Sequence, residues 1–293
     1  MPKFQRWKGI QKCYPFEEKR LATWTPPYIC QPKYDGNRCV DIPLDYGNHL
    51  LLISEENPFF SVPHINQALI ELNLPMRLDG ELYNHEIFLE GGHELIHSIV
   101  SRTVNTHPRY KEIQFIIFDY QDDLEPQWKR MLNLHELRGR FKPPLILAPY
   151  WMCETLDEIK EVYDKLIELK YEGIIVRNTA SIYEINKRSR WIMKFKPKKK
   201  DVYKIVGWKE EVSMDGVPKG RIGSLIMSSQ VGDEFGVSAG LDFEEKDRLW
   251  NIRDQLAGMM AMVHYQHLTN KQIPKGTFNV EVLRRKNEVN KNK

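Results

Sequence analysis

Strand-forming and helix-forming stretches follow one another along this chain without a regular strand–helix–strand alternation. That order disfavours a parallel, doubly wound sheet and predicts an α+β fold with mainly antiparallel sheets. Residues 30–42 and 49–53 are rich in strand formers and flank a turn at Asp45-Tyr46-Gly47-Asn48, which predicts an antiparallel hairpin. Ile65, Ala68, Leu69 and Leu72 recur at helical spacing. Residues 76–83 read as a strand carrying an Asp-Gly, and residues 115–118 as a short apolar strand. Thr155 and Glu158 form a capping-box pattern before a helix whose apolar face carries Leu156, Ile159, Tyr163 and Leu166. Strands are predicted at residues 173–177 and 191–195.

The pattern changes after Pro197-Lys198-Lys199-Lys200. Short strand candidates at 203–208, 224–228, 235–238, 262–267 and 277–283 are separated by Gly- and Asp-rich turns. One helix interrupts them, with Asp242 as its cap, Glu245 closing the box, and Leu249, Ile252 and Leu256 facing inward. Short strands plus one helix predict a small β-barrel of the OB type. The expected domains are therefore 1–198 and 201–293.

Charge says less than its distribution. The chain has 43 basic and 40 acidic residues, a net charge of +3, which does not by itself announce a nucleic-acid binder. The run from Lys194 to Lys200 and the basic C-terminus from Arg284 are, taken alone, solvated faces or tails. Cys13, Cys30, Cys39 and Cys153 have no metal-ligand spacing and read as thiols of a reducing compartment. No apolar run is long enough to span a membrane, and the N-terminus has no apolar signal region. The expected location is cytoplasmic, in a bacterium or inside a virus-infected host.

Lys33-Tyr34-Asp35-Gly36-Asn37-Arg38 carries the chemistry. A lysine amine can form a phosphoramidate with a nucleotide, but only when deprotonated. Its pKa must therefore be lowered by desolvation, nearby cations or a metal. Asp35 is suited to a divalent metal, Gly36 to a tight turn, and Arg38 to a ribose or phosphate. By itself this hexapeptide is read equally as a surface hairpin turn. Lys194 and Lys196 alternate with Trp191, Met193 and Phe195, so on a strand both lysines point to one face.

Five segments together resemble the covalent nucleotidyltransferase superfamily of ATP-dependent DNA ligases, RNA ligases and mRNA capping enzymes. In order they are the hexapeptide, Leu78-Asp79-Gly80-Glu81-Leu82, Phe115-Ile116-Ile117-Phe118-Asp119, Glu172-Gly173-Ile174-Ile175-Val176-Arg177, and Trp191-Ile192-Met193-Lys194-Phe195-Lys196-Pro197. The resemblance implies an antiparallel, ATP-grasp-like nucleotidyltransferase domain. It implies that Lys33 attacks the α-phosphate of ATP, with Arg38 and Glu81 on the ribose hydroxyls and Phe118 stacked on the adenine. Gln31 would read the adenine edge, and Pro32 would lie against the nucleotide. Glu172, with Asp35, would bind Mg2+ or Mn2+. Lys194 and Lys196 would neutralise the α-phosphate in the transition state. As a bare side chain in an apolar strand, Phe118 is equally a core residue, Gln31 a surface strand residue, and Glu172 the end of the preceding helix.

One departure is visible. A Ser-Arg pair often follows the first hairpin in the family, whereas here the stretch is Ile53-Ser54-Glu55-Glu56-Asn57, without the arginine. The C-terminal part discriminates among family members. Val206-Gly207-Trp208, Gly220-Arg221-Ile222-Gly223-Ser224-Leu225, Val237-Ser238-Ala239-Gly240-Leu241, Val263-His264-Tyr265-Gln266-His267-Leu268-Thr269 and Phe278 leading to Arg284-Arg285-Lys286 resemble the OB domain of ATP-dependent DNA ligases. The expectation is a monomeric, minimal DNA ligase acting on nicked double-stranded DNA in replication, repair or recombination. It would have no further interaction domain, and its barrel would swing about residues 198–201. Residues 212–221 are read as a DNA-contacting loop or an ordinary hairpin turn. The alternatives are an RNA ligase or capping guanylyltransferase, and a catalytically silent nucleic-acid-binding protein on the same fold.

Overall fold

The structure is a computed structural model that describes residues 9–43, 49–53, 61–265, 267–269, 271–275, 277 and 279–283. The turn Asp45-Tyr46-Gly47-Asn48, the stretch Ser54-Glu55-Glu56-Asn57, Gln266, Phe278 and the basic Arg284-Arg285-Lys286 lie outside the described residues. Two compact units divide between Lys196 and Pro197. Among the described residues no helix is long and apolar enough to cross a membrane.

The first unit runs β1 (Lys12–Pro15), α1 (Glu18–Leu21), β2 (Tyr28–Lys33), β3 (Asn37–Pro43), β4 (His49–Ile53), α2 (Pro63–Leu72), β5 (Leu78–Tyr83) and α3 (His85–Val100). It continues with β6 (Gln114–Tyr120), α4 (Gln127–Glu136), β7 (Leu145–Leu147), β8 (Trp151–Cys153), α5 (Leu156–Glu168), β9 (Gly173–Asn178) and β10 (Arg188–Phe195). The strands form two five-stranded sheets, in the orders β1-β10-β9-β2-β8 and β4-β3-β5-β6-β7. Among the described residues only the β1–β10 and β6–β7 pairs are parallel. The expected α+β class with largely antiparallel sheets is what forms.

Residues 30–42 are not one arm of a hairpin. β3 does pair with β4, but β2 belongs to the other sheet, and the chain crosses from sheet to sheet at Tyr34-Asp35-Gly36. Gly36 permits the crossing, because a Cβ there would lie 2.3 Å from the Leu82 carbonyl oxygen. The crossing leaves Lys33 at the end of β2, on the brink between the two sheets.

Helices cover the outer faces. α2 starts with Pro63 in its first turn, as suits a residue without an N–H, and buries Ile65, Leu69 and Leu72. The expected cap on α5 is present: Glu158 N–H donates to Thr155 Oγ1 at 3.2 Å, worth about 1 kcal/mol. Its buried Ile159 and Leu166 pack with Cys30, Val176 and Met193 of the first sheet, each contributing roughly 1.5–3 kcal/mol. The second sheet has its own core, built from Cys39, Leu78, Leu82, Phe115 and Ile117 against Ile65, Leu69, Ile87 and Ile96.

The second unit contains β11 (Lys199–Val212), β12 (Pro218–Ser228), β13 (Glu234–Val237), α6 (Phe243–Asn251), β14 (Met260–Tyr265), β15 (His267–Leu268), β16 (Pro274–Lys275) and β17 (Asn279–Val282). Asp242 caps α6, accepting from Glu245 N–H at 2.8 Å. Leu249 and Leu256 are fully buried with Tyr203, Ile205, Leu225 and Val263, whereas Ile252 lies past the end of α6 and is only partly buried. The sheet order is β13-β12-β11-β14-β17, antiparallel throughout. A small barrel of the OB type was expected; among the described residues no pairing joins β13 to β17, so closure of the sheet into a barrel is not seen there. Strand number and spacing do not encode closure, which requires hydrogen bonds between the first and last strands. β11 is also far longer than the expected strand at 203–208, and Lys199 and Lys200 already pair with Tyr265 and His264.

Candidate active site

Residues from both sheets of the first unit line a cavity. Gln31, Pro32, Lys33, Ile175 and Arg177 come from the first sheet, and Arg38, Glu81 and Phe118 from the second. Arg38 and Glu81 are direct cross-strand partners on β3 and β5. Residues so paired share a face of the sheet, which puts the guanidinium and the carboxylate side by side.

Lys33 makes an ion pair with Glu172, and the other carboxylate oxygen of Glu172 pairs with Lys196. Backbone geometry sets up this triad. Gly173 has φ +150°, and a Cβ there would lie 2.1 Å from the Phe195 carbonyl oxygen. Only glycine lets the start of β9 press this closely on the end of β10, bringing Glu172 to Lys196. Phe195 is stacked between Phe16 and Tyr163, at 4.5 and 4.1 Å between ring centroids. With Phe195 fixed on that face, the alternation of a strand sends Lys194 and Lys196 to the other. Lys194 makes itself felt through its charge, which helps to lower the pKa of Lys196. Burial is the larger cause there, followed by the charge of Lys33.

The protonation of Lys33 departs from expectation. Burial acts to lower its pKa, but the carboxylates of Glu172, Glu81 and Asp35 outweigh burial, and the net shift is upward. Beside these carboxylates Lys33 is therefore held as an ammonium. Glu172 moves the opposite way: burial opposes ionisation, but Lys33 and Lys196 keep its pKa below the ordinary value. Burial raises Glu81 to about 8, against the pull of Lys33 and Arg38. Asp35 is also raised, by burial and then by Glu172.

Phe118 occupies a special point of β6. Asp79 pairs with Asp119 and Gly80 with Ile117, so Phe118 is the extra residue of a β-bulge. A bulge re-aims the local side chain, and here Phe118 reaches the cavity. The guanidinium carbons of Arg38 and Arg177 lie 4.7 and 5.4 Å from its ring centroid. Arg38 is fixed by a forked bond to Asp79, at 2.7 and 2.6 Å, and Tyr183 Oη donates to the same carboxylate at 2.7 Å.

Gln31 lines the cavity from β2 and is not the surface strand residue that its sequence alone also allowed. It is 1% exposed, its Nε2 donates to the Phe118 carbonyl at 3.1 Å, and its Oε1 accepts from Arg177 Nε at 2.8 Å. Both ends of the amide are thus occupied within the protein. Arg177 also donates to Asp119 at 3.2 Å and Gln127 at 3.3 Å. Arg130, fully buried, donates to both oxygens of Asp119 at 2.9 and 3.1 Å. Sequence reasoning gave no role to Arg177, Asp79, Tyr183 or Arg130. The arginine that ends Glu172-Gly173-Ile174-Ile175-Val176-Arg177 was the available signal for the first.

Among the described residues no cluster of three or more His, Cys, Asp or Glu forms a metal-binding group. The carboxylates of Asp35 and Glu172, both of which act on the charge of Lys33, are hard oxygen donors. One or two carboxylates completed by phosphate oxygens is the set that suits Mg2+.

Comparison with known proteins agrees with this geometry. A DNA ligase of Enterobacteria phage T6 is 26% identical over 286 residues, covering 82% of this chain and 55% of the relative. A DNA ligase of African swine fever virus (isolate Tick/South Africa/Pretoriuskop Pr4/1996) is 30% identical over 184 residues, covering 58% of this chain and 41% of the relative. The chain thus spans about half the length of these curated relatives. In fold it is similar to a solved Lig E DNA ligase, with TM-score 0.72, 18% identity, and coverage of 94% of this chain and 99% of that one. It is also similar to the ATP-dependent DNA ligase of bacteriophage T7 in complex with ATP, with TM-score 0.52, 16% identity, and coverage of 94% and 99%. The family model described as ATP dependent DNA ligase domain matches residues 12–196, more than half of the chain and every cavity residue except Gln11. This chain belongs to the ATP-dependent DNA ligase domain family.

Proposed function

We propose that the chain is an ATP-dependent DNA ligase that seals 5′-phosphate/3′-hydroxyl nicks in duplex DNA through a lysyl-AMP on Lys33. The observation that carries this reading is the placement of Lys33, at the rim of a cavity holding Phe118, Arg38 and Glu81 and within the carboxylate grip of Glu172. The adenine stacks on Phe118, and the ribose hydroxyls meet Arg38 and Glu81. Gln31 acts through Arg177, which it holds beside the Phe118 ring.

In the first step the Lys33 amine forms an N–P bond to the α-phosphorus and sheds one N–H proton to solvent, and pyrophosphate leaves with the electrons of the broken P–O bond. Lys33 must first give up a proton. The Glu172 pair opposes that, so its opening is part of activation. Lys196, and Lys194 on the same face, then stabilise the negative charge that builds on the α-phosphate. Asp35 and Glu172 would hold a divalent cation, Mg2+ or Mn2+, which supplies charge neutralisation at the phosphates. The AMP next passes to the 5′-phosphate of the nick. Attack by the 3′-hydroxyl on that phosphate releases AMP, and both transfers depend on positioning and electrostatics.

We assign residues 1–198 to the adenylation domain, on an ATP-grasp-like plan. The second unit is assigned to an OB-type domain that binds the DNA backbone without reading sequence. Because Lys199 and Lys200 are paired in β11, the hinge between the domains narrows to Pro197-Lys198. The phage and virus relatives named DNA ligase support DNA over RNA as substrate.

The test is incubation with α-labelled ATP and Mg2+, followed by nicked duplex. Label is expected on the wild-type protein and not on Lys33→Ala, with sealing of nicked DNA to follow. Label from GTP in preference to ATP, or sealing of nicked RNA alone, would replace this reading with that of a capping enzyme or an RNA ligase. Equal labelling of Lys33→Ala would remove it.

A further inference from the structure

The turn that follows Lys33 is held from outside the cavity. α3 is interrupted at Gly92, with φ 65° and ψ −164°, and the helix resumes at His93. His93 Nδ1–H donates to the main-chain carbonyl of Asp35 at 3.3 Å, and the same nitrogen lies 4.0 Å from Asp35 Oδ1. One helical turn later, His97 Nδ1 accepts from Asn37 Nδ2 at 3.0 Å. The two imidazoles stack at 5.7 Å between centroids, 19° from parallel. On its other side the turn is pressed against β5 at Gly36. Asp35-Gly36-Asn37 is therefore gripped between β5 and the second half of α3, with one histidine at each end.

We propose that His93 is a positioning residue for nucleotidyl transfer. By fixing the Asp35 carbonyl it sets the place of the Asp35 carboxylate beside Lys33 and Glu172. The inference rests on the reading of Lys33 as nucleophile. Packing does not explain His93, whose side chain is 42% exposed. The same half-helix is held to the core by Ile96, Ile99 and Val100, all fully buried. Loss of the His93 ring should therefore leave the fold intact and loosen only the turn. The reaction depends steeply on that turn, because it carries both a carboxylate of the site and the chain crossing next to Lys33.

The experiment compares wild type, His93→Ala and His93→Asn in single-turnover transfer of label from α-labelled ATP, across a range of ATP concentrations, with thermal unfolding of each. Asparagine keeps an N–H donor near the position of the ring Nδ1. His93→Ala is expected to lower the maximal transfer rate by about ten-fold or more, since misplacement by an ångström can cost a hundred-fold. The ATP concentration at half-maximal rate should change little, His93→Asn should recover most of the rate, and all three proteins should unfold at the same temperature. A wild-type rate in His93→Ala overturns the inference while leaving Lys33 as nucleophile. So does an asparagine variant as slow as alanine, or a rate loss that follows a drop in unfolding temperature. If wild type takes no label, the reading of Lys33 itself fails.

Discussion

Lys33 and Glu172 form an ion pair at the rim of the cavity, and the same carboxylate also holds Lys196. The pair raises the pKa of Lys33 against the effect of its burial. Glu172→Gln should therefore lower that pKa and increase the fraction of free amine at any pH below it. Acetylation of Lys33 followed by mass spectrometry across pH 7–10 should show the reactivity profile moving to lower pH in the variant. Transfer of AMP from ATP should nonetheless fall, because the metal-binding carboxylate is lost. An unmoved acetylation profile would show that Glu172 does not control the protonation of Lys33.

Glu81 yields a prediction about stability. Burial raises its pKa from about 4.5 to about 8, so the folded protein holds a proton there that the unfolded chain has lost. Stability rises with pH only where the unfolded state binds more protons, and for Glu81 the reverse holds. Its contribution is fully present below about pH 4.5 and is lost as pH rises through about 8. Glu81→Gln keeps the shape without the ionisation. In the nucleotide-free protein the variant should be more thermostable than wild type at pH 9, with the gap closing toward pH 5. A gap constant across that range would count against the raised pKa.

Phe118 carries the prediction about base binding. Stacking of a base on an aromatic ring is worth about 1–3 kcal/mol, so Phe118→Leu should weaken ATP roughly ten-fold or more. The half-saturating ATP concentration for labelling is the measure, and Phe118→Tyr should stay near wild type. Unchanged ATP dependence in the leucine variant would make Phe118 a core residue, the other role open to it from sequence.

What the sequence made legible was chemistry that sits locally. Lys33, Arg38, Glu81, Phe118 and Glu172 come from short motifs far apart in the chain, and the fold brings them to one cavity or its rim. A turn at residues 33–38 was one reading of the hexapeptide, but that β2 and β3 belong to different sheets was not legible, because strand propensity runs on through Cys30, Cys39, Val40 and Ile42. The need for glycine at position 36 comes from Leu82, which is remote in sequence. Arg177, Asp79 and Tyr183 were missed for a similar reason, since each acquires its role only from the partner the fold gives it. α3 was hidden because Gly91-Gly92 interrupts its apolar period. Whether the sheet of the second unit closes was not legible either, because strand spacing is the same in an open sheet and a barrel.

The ion pairs behind Phe118 are the part of the site most open to a stability test. Asp119 is fully buried and takes bonds from Arg130 and Arg177, which hold its pKa below the ordinary carboxylate range despite burial. A depressed carboxylate contributes stability that is present above its unfolded pKa and is lost as pH falls through the folded one. Asp119→Asn leaves two guanidinium groups without their counter-charge, and breaking a buried pair in this way costs about 3–5 kcal/mol. The urea midpoint at pH 7 should fall accordingly, and the difference from wild type should shrink as pH is lowered toward 3. Arg130→Met combined with Asp119→Asn should recover part of the loss, because it removes one of the stranded cations. ATP binding should not recover, because Arg177 would still lack the Asp119 carboxylate that helps hold it beside the ring. If the double variant is no more stable than Asp119→Asn alone, the coupling between Arg130 and Asp119 is absent, and this network does not hold the floor of the cavity.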